Sequence, residues 1–347
     1  ADHPAQLERL QGLQELDLSY NLLPAISDSI KYNTEITLLD FEKNRLKHLP
    51  YEIAHLKKLE SLNASRNFIE EIIFMEAQNP GLHNLTNLNM SHNLFDHIPE
   101  GVQHLEALQN MDFSHNQIQS IHLKTERLGA LRALRLGGNR LGQLPTGLSH
   151  LTNLAELRAP GNRLTKFPEV IRHLTALEHL DLAANQFHDL GNNTLQQLTN
   201  ITHLQLSRNR VKRLPHELFN LVELKILDIQ ANQVEELPEL VSQLVNLEEL
   251  HLNNNRIAHV PTGMGALKSM TRLALHVNQI ETLPSELAHM DKLCQITLHH
   301  NRFTKTPSIM YELKLKNWNI SDNLIPDYED AMAAAAALAA GPRRLEA

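Results

Sequence analysis

Few residues in this chain are of a type and spacing that could do covalent chemistry. Cys294 is the only cysteine, with His299 and His300 just downstream. A thiol–imidazole pair needs a third group to orient the ring and a closed pocket around it. The surrounding sequence offers neither, so no catalytic residue is assigned. The run Gly263-Met-Gly-Ala-Leu-Lys268-Ser269 has the residues of a phosphate loop but not its spacing, because glycine must directly precede the lysine. Four histidines, His251, His276, His299 and His300, recur at intervals that place them on neighbouring strands. Strands about 4.8 Å apart would bring such rings within reach of one another, which suits a metal site or a solvated, pH-sensitive patch. The patch is the simpler account, and neither metal nor cofactor is expected.

A second constellation is charged. Arg135 and Arg158 fall in one column of adjacent strands, bracketed by Asp112 and Asp181, with Glu156 close by. Gly137, Gly138, Pro160 and Gly161 stand beside them where the equivalent stretches carry larger residues. Two guanidinium groups over small residues form a shelf for a partner's carboxylates, unless the aspartates neutralise them across the strands. Tyr20, Leu38 and Ile226 are the main large side chains expected to face outward, with His276 and His299 completing the candidate contact set.

All of these residues must be positioned by one repeated element. Leu13-x-x-Leu16-x-Leu18-x-x-Asn21 returns as Leu131-x-x-Leu134-x-Leu136-x-x-Asn139 and as Leu224-x-x-Leu227-x-Ile229-x-x-Asn232. Its terminal asparagine occurs fourteen times, at 21, 44, 67, 93, 116, 139, 162, 185, 209, 232, 255, 278, 301 and 323, mostly 23 residues apart. The Leu-x-Leu alternation predicts a short strand with leucines pointing inward. The asparagine amide can then satisfy backbone groups left open where the chain leaves the strand. Proline follows six residues later in nine repeats, ahead of apolar residues at three-residue spacing, as in Pro168-x-x-Ile171-x-x-Leu174. That pattern predicts a short helical or 3₁₀ turn.

These motifs resemble leucine-rich repeats over residues 4 to about 326. The Leu-Pro-x-x-Ile-x-x-Leu form is most similar to the 23-residue intracellular Ras-group-related class, which includes Ras-suppressor-like scaffolds. The resemblance implies an α/β fold, a right-handed solenoid with a curved parallel sheet on its concave face and short helical or 3₁₀ turns on its convex face. It also implies a signalling adaptor near Ras-like GTPases or phosphatases. The expected organisation is an array over 1–326 with a truncated first repeat, a capping helix over 327–341 and a tail over 342–347. Pro4-x-x-Leu7-x-x-Leu10-x-x-Leu13 reads as the second half of a repeat, which leads to the expectation of further sequence upstream. Trp318 replaces a strand leucine in the last repeat and is expected to plug the terminal core. The rhythm breaks at 68–82, 123–128 and 190–198.

Composition sets the outer limits. The net charge of −8 opposes an electrostatic hold on nucleic acid, and no apolar run reaches the roughly 20 residues that span a bilayer. One cysteine permits no internal disulfide, which favours a reducing, cytoplasmic setting. A secreted protein is the alternative, since six Asn-x-Ser/Thr sequons are present at Asn63, Asn84, Asn89, Asn192, Asn200 and Asn319. Three of them, Asn63, Asn89 and Asn319, arise from the repeat motif itself. The variable strand positions carry ten acids against six bases, which suits a partner with basic features. The reading is therefore a non-enzymatic scaffold that binds a protein or peptide on its concave face, with no nucleic acid, membrane insertion or small molecule expected. The alternatives are a secreted or host-directed recognition protein, and the binding part of a larger enzyme.

Overall fold

The computed structural model describes residues 10, 12–72, 81–191 and 193–325. The chain divides into two compact units, Ala1–Gln186 and Phe187–Ala347. Among the described residues the first carries eight strands, β1 Glu15–Asp17, β2 Leu38–Asp40, β3 Ser61–Asn63, β4 Asn87–Asn89, β5 Asn110–Asp112, β6 Ala133–Arg135, β7 Glu156–Arg158 and β8 His179–Asp181. The second carries six, β9 His203–Gln205, β10 Ile226–Asp228, β11 Glu249–His251, β12 Arg272–Ala274, β13 Gln295–Thr297 and β14 Asn317–Asn319. Within each unit every strand pairs in parallel with the next in chain order. The register never slips: Leu16 aligns with Leu39, Leu39 with Leu62 and Leu62 with Leu88, and in the second unit Leu227 aligns with Leu250 and Leu250 with Leu273. The middle residue of each strand is buried except Trp318, and its neighbours stand on the opposite, open face.

The ladder asparagines explain the fixed register. Asn67 accepts the Leu46 N–H through Oδ1 at 3.0 Å and donates Nδ2 to the carbonyls of Phe41, Ala64 and Ser65 at 2.9, 3.2 and 3.1 Å. One side chain thereby satisfies backbone groups on two consecutive coils, in a place from which water is excluded. Asn93, Asn116, Asn139 and Asn162 repeat the arrangement. To aim the amide inward, the residue before each ladder asparagine takes a left-handed backbone. All fourteen do so, with φ between 53° and 65°, and only Gly138 and Gly161 are glycines. Each non-glycine residue there stores about 1 kcal/mol of strain.

The nine expected prolines each precede a 3₁₀ helix, as at Pro50 before Tyr51–His55 and Pro261 before Thr262–Ala266. Proline supplies its natural φ, −71° at Pro261, and its missing N–H costs nothing at a helix start. Where proline is absent the element weakens. The turn Thr125–Arg127 has three residues instead of five, and no helix forms among the described residues of 190–198. Residues 28–32 form a helix without proline because Ser27 Oγ accepts the Ser29 N–H at 3.2 Å. Fully buried Phe41, Phe95, Phe113, Phe187, Phe219 and Phe303 fill space behind the leucines.

Trp318 pairs with Ile296 at the centre of β14 and is half-buried, so among the described residues it borders the core without plugging it. The expected capping helix, the tail, most of the first half-repeat and part of the 68–82 irregularity lie outside the described residues. Among those described, no helix is long and apolar enough to cross a membrane.

Replacing Asn67 with alanine leaves the Leu46 N–H and the Phe41 carbonyl buried without that partner, and should cost about 3 kcal/mol. Asn21, which is exposed, should cost under about 0.5 kcal/mol on the same change. Urea unfolding midpoints of the two variants check this, and equal shifts would refute the ladder's role.

Candidate protein-binding face

The open face of each unit is built from the first and third residues of each strand and the two positions after the following apolar residue. Its third-residue column carries a structural duty that spacing alone does not reveal. Asp17, Asp40, Asn63, Asn89, Asp112, Asp181, Asp228 and Asn319 each accept, through Oδ1, the backbone N–H two residues on, at 2.8 to 3.2 Å. These Asx turns close the strand ends. The Ser19 hydrogen bonds hold the Asp17 carboxyl below its ordinary value. Asp112 and Asp181, read from sequence as partner contacts, are therefore engaged in the fold as well. The three sequons at Asn63, Asn89 and Asn319 are the same turns, with Ser65 and Ser91 hydroxyls also bound to the asparagine oxygen at 2.8 Å. Asn192 lies outside the described residues.

In the first unit two strands break this column. Arg135 and Arg158 stand there in direct register, flanked in register by Asp112 and Asp181 as expected. Two residues later come Gly137 and Pro160, and Pro160 has no N–H for an Asx turn to bind. A Cβ on Gly137 would meet the Pro160 ring at 3.0 Å, and Gly138 takes φ +65° against His115. The small residues are thus required by close coil packing. The expected open pair of guanidiniums is not what forms. Arg135 binds Glu156 through Nε at 2.8 Å and Nη2 at 3.2 Å, and Arg158 Nε reaches the same carboxylate at 2.8 Å. Glu156, 18% exposed, bridges the shelf and already occupies the place intended for a partner's carboxylate. Burial works to raise its pKa, but the Arg135 hydrogen bond and the charges of Arg135, Arg158 and His179 outweigh it and hold the carboxyl low. The Glu156 hydrogen bond raises Arg135 in return.

Beside this bridge lies a depression of about 370 Å³ over β2–β6, lined by Asn63, Asn87, Asn89 and Asn110, with Asp40, Asp112 and Arg135 at its margin. Asn110 Nδ2 donates to Asn87 Oδ1 at 2.7 Å, and Asn63 Nδ2 donates to both Asp40 oxygens at 3.1 Å. In the sequence Asn63 and Asn89 stood out only as sequons, and Asn87 and Asn110 not at all. Their alignment appears only when the three-residue offset of the fourth repeat is absorbed before β4.

In the second unit, His276 and His299 stack with centroids 4.3 Å apart, and His300 meets His299 edge-on at 5.5 Å. His276 Nδ1 lies 2.9 Å from Thr297 Oγ1, whereas His299 Nδ1 is buried with no hydrogen-bond partner. Burial, then neighbouring imidazoles, lower the pKa of both rings. Among the described residues no group of three or more His, Cys, Asp or Glu is arranged to hold a metal ion. The Cys294 thiol donates to the Thr271 carbonyl at 3.3 Å. At the pseudo-phosphate loop, the N–H groups of Thr262 and Gly263 bind the Glu239 carboxylate at 3.1 and 2.6 Å, so a side chain of the protein holds that position.

Tyr20 is 65% exposed, with Lys43 Nζ 4.7 Å over its ring and its hydroxyl 3.4 Å from Glu42. It stands on β1's coil, far in sequence order from the arginine strands. Leu38 and Ile226 are half-buried and offer less surface than expected.

Because Glu156 is held ionised in the fold, its share of stability is present above the ordinary carboxylate pKa of about 4.3 and is lost as pH falls through the lower folded value. Glu156→Gln should lower stability by about 1 kcal/mol near neutrality, and the gap from wild type should narrow progressively as pH falls below about 4.3. Thermal melts across pH check this, and a constant gap would contradict it.

Comparison with known proteins agrees with this architecture. The family described as "Leucine-rich repeat region" matches residues 182–315, and two "Leucine rich repeat" families match 11–69 and 84–105. A solved leucine-rich-repeat protein of Leptospira interrogans superposes with a TM-score of 0.89 at 30% identity, covering 95% of this chain and 84% of that one. Leucine-rich repeat serine/threonine-protein kinase 1 of Mus musculus is 33% identical over 103 residues, which is 27% of this chain and 5% of the relative. Leucine-rich repeat-containing protein 58 of Xenopus tropicalis is 32% identical over 98 residues, 28% of each chain. The chain thus spans only a minor part of the curated relatives it matches. Repeats of this kind generally serve as non-catalytic protein- or peptide-binding modules. From its motif, its register and its likeness to the Leptospira interrogans structure, the chain belongs to the leucine-rich-repeat family.

Proposed function

We propose that this protein is a non-enzymatic scaffold whose open sheet face holds an extended segment of a protein partner. The observation that carries this reading is the amide-lined depression over β2–β6. Side-chain amides offer a donor and an acceptor each and match the main-chain groups of an extended polypeptide. Asn110 Oδ1 makes no hydrogen bond among the described residues, and Asn87 Nδ2 spends one of its two hydrogens, on Thr86, so both amides keep capacity for a partner. Aromatic anchors are scarce on this face, which suits polar recognition of moderate affinity. The Arg135–Glu156–Arg158 bridge serves as a rigid wall of the depression and does not itself capture an anion. Likeness to the Ras-group-related repeats supports a place in intracellular signalling near Ras-like GTPases or phosphatases, and the single unpaired thiol of Cys294 fits a reducing compartment. Partners on this reading are proteins; the net charge of −8 and the shallow face favour them over nucleic acid and small molecules.

The test is affinity purification with the full chain, followed by Kd measurement of the captured partner against wild type and an Asn87→Ala/Asn110→Ala variant. Two lost hydrogen bonds at about 1 kcal/mol each should weaken binding about thirtyfold. An unchanged Kd in a variant that melts like wild type would overturn the assignment of the site.

A further inference from the structure

We propose that the open face of the second unit, from β10 to the turn after β14, docks a carboxylate-rich protein segment in mildly acidic solution and releases it near neutrality. This rests on the reading of the open face as a binding surface, but on a different part of it from the amide depression.

The geometry begins with a concavity of about 480 Å³ lined by residues that include Gln230, His251, Arg272, His276, Gln295 and Thr297. Its lining mixes polar side chains with Leu273 and Ala274 and carries no carboxylate. Carboxylates approach only from the sides. Glu249 on β11 lies 3.1 Å from His251 Nε2 and 3.5 Å from Arg272 Nη1. Asp322, after β14, lies 3.7 Å from His300 Nε2. Asp228 on β10 is turned to Gln230, whose N–H and Nε2 it accepts at 3.0 and 3.2 Å. On β12 itself Arg272 is the fixed cation, more than half exposed, with Nε donating to Gln295 Oε1 at 3.2 Å. The coil of β13 brings His299 and His300 against His276, and its strand contributes only the uncharged Gln295 and Thr297.

This inventory changes sign with pH. With the four imidazoles neutral, three carboxylates outnumber the one guanidinium and the face is slightly acidic. As the imidazoles take up protons, the same face becomes basic within an area only four or five strands wide, about 20 Å across. Asp322 acts on His299 from the side, but burial and the His300 charge outweigh it, and no carboxylate acts on His276. Two imidazolium rings 4.3 Å apart repel, and a second N–H on His299 would be buried without an acceptor. The free protein therefore resists charging this pair, as the lowered pKa of each ring indicates. A docked carboxylate supplies the missing counter-charge. By linkage, a ligand that favours the protonated rings must bind with proton uptake, and its affinity must rise as pH falls from neutrality into mildly acidic solution.

The probe is a fluorescein-labelled decaglutamate peptide, which stays ionised down to about pH 5, measured by anisotropy with the full chain at constant ionic strength. We expect Kd to fall at least tenfold between about pH 7.5 and about pH 5.5. A His276→Gln/His299→Gln variant should retain less than a threefold change. Should that variant melt early, His300→Lys at the exposed end of the cluster gives an independent reading. Its fixed charge should tighten binding at pH 7.5 and flatten the pH dependence. A Kd independent of pH, or a tenfold gain that survives both sets of changes, overturns the proposal. Asn87→Ala/Asn110→Ala should leave decaglutamate binding unchanged, and loss there would also overturn it. If decaglutamate fails while the amide variant still loses its own partner, the scaffold reading stands and this one falls.

Discussion

The structure depends on one unmet demand. Each coil must leave its strand and turn through the interior, and the turn strands backbone N–H and carbonyl groups where water cannot reach. The asparagine amide answers this by bonding its own coil and the preceding one at once, as Asn67 does with Ala64, Ser65, Phe41 and Leu46. Because one side chain spans two coils, a slip of the register would break several bonds together. That is why the leucine columns align without a single bulge within either unit, and why the irregularity at 68–82 is resolved before β4 begins.

That constraint separates architecture from recognition. Leucines and phenylalanines take the interior, prolines start the 3₁₀ turns, and asparagines join the coils. What remains for a partner is the open face, and even there the third strand position is engaged by Asx turns in most coils. The departures from the rule are therefore informative. At β6 and β7 arginine replaces the Asx residue, the following positions become Gly137 and Pro160, and Glu156 rises to join both guanidiniums. In the second unit, imidazoles crowd columns that hold serine, glutamine or asparagine elsewhere, at His276 and His299.

Most of the fold was legible because it is written in residue types that only one position tolerates. Leu-x-Leu spacing marked the strands, the asparagine marked the coil junction, and nine prolines marked nine 3₁₀ turns. The left-handed residue before each asparagine was not legible, since tyrosine, lysine, arginine, histidine, alanine and valine all occupy it. There the backbone is imposed by the ladder and side-chain preference is overridden. The candidate site was legible only as a column. Sequence aligned Asp112, Arg135, Arg158 and Asp181 correctly, yet missed that arginine is long enough to reach diagonally to the first position of β7. Likewise, it grouped His276 with His299 but could not reveal that their rings stack, because that depends on rotamers set by Thr297 and the neighbouring coil.

The central claim is that the asparagine ladder holds the coils in register and leaves the open face to recognition. Native-state hydrogen exchange tests it most directly. The amides of Leu46, Ile69, Phe95, Ile118 and Val211, which donate to ladder asparagine oxygens, should exchange among the slowest in their units. Asx-turn amides such as Ser114 and Gln230, on the open face, should exchange markedly faster. If the ladder-bound amides exchanged as fast as those turn amides, the junctions would not be what holds the stack, and the account would fail.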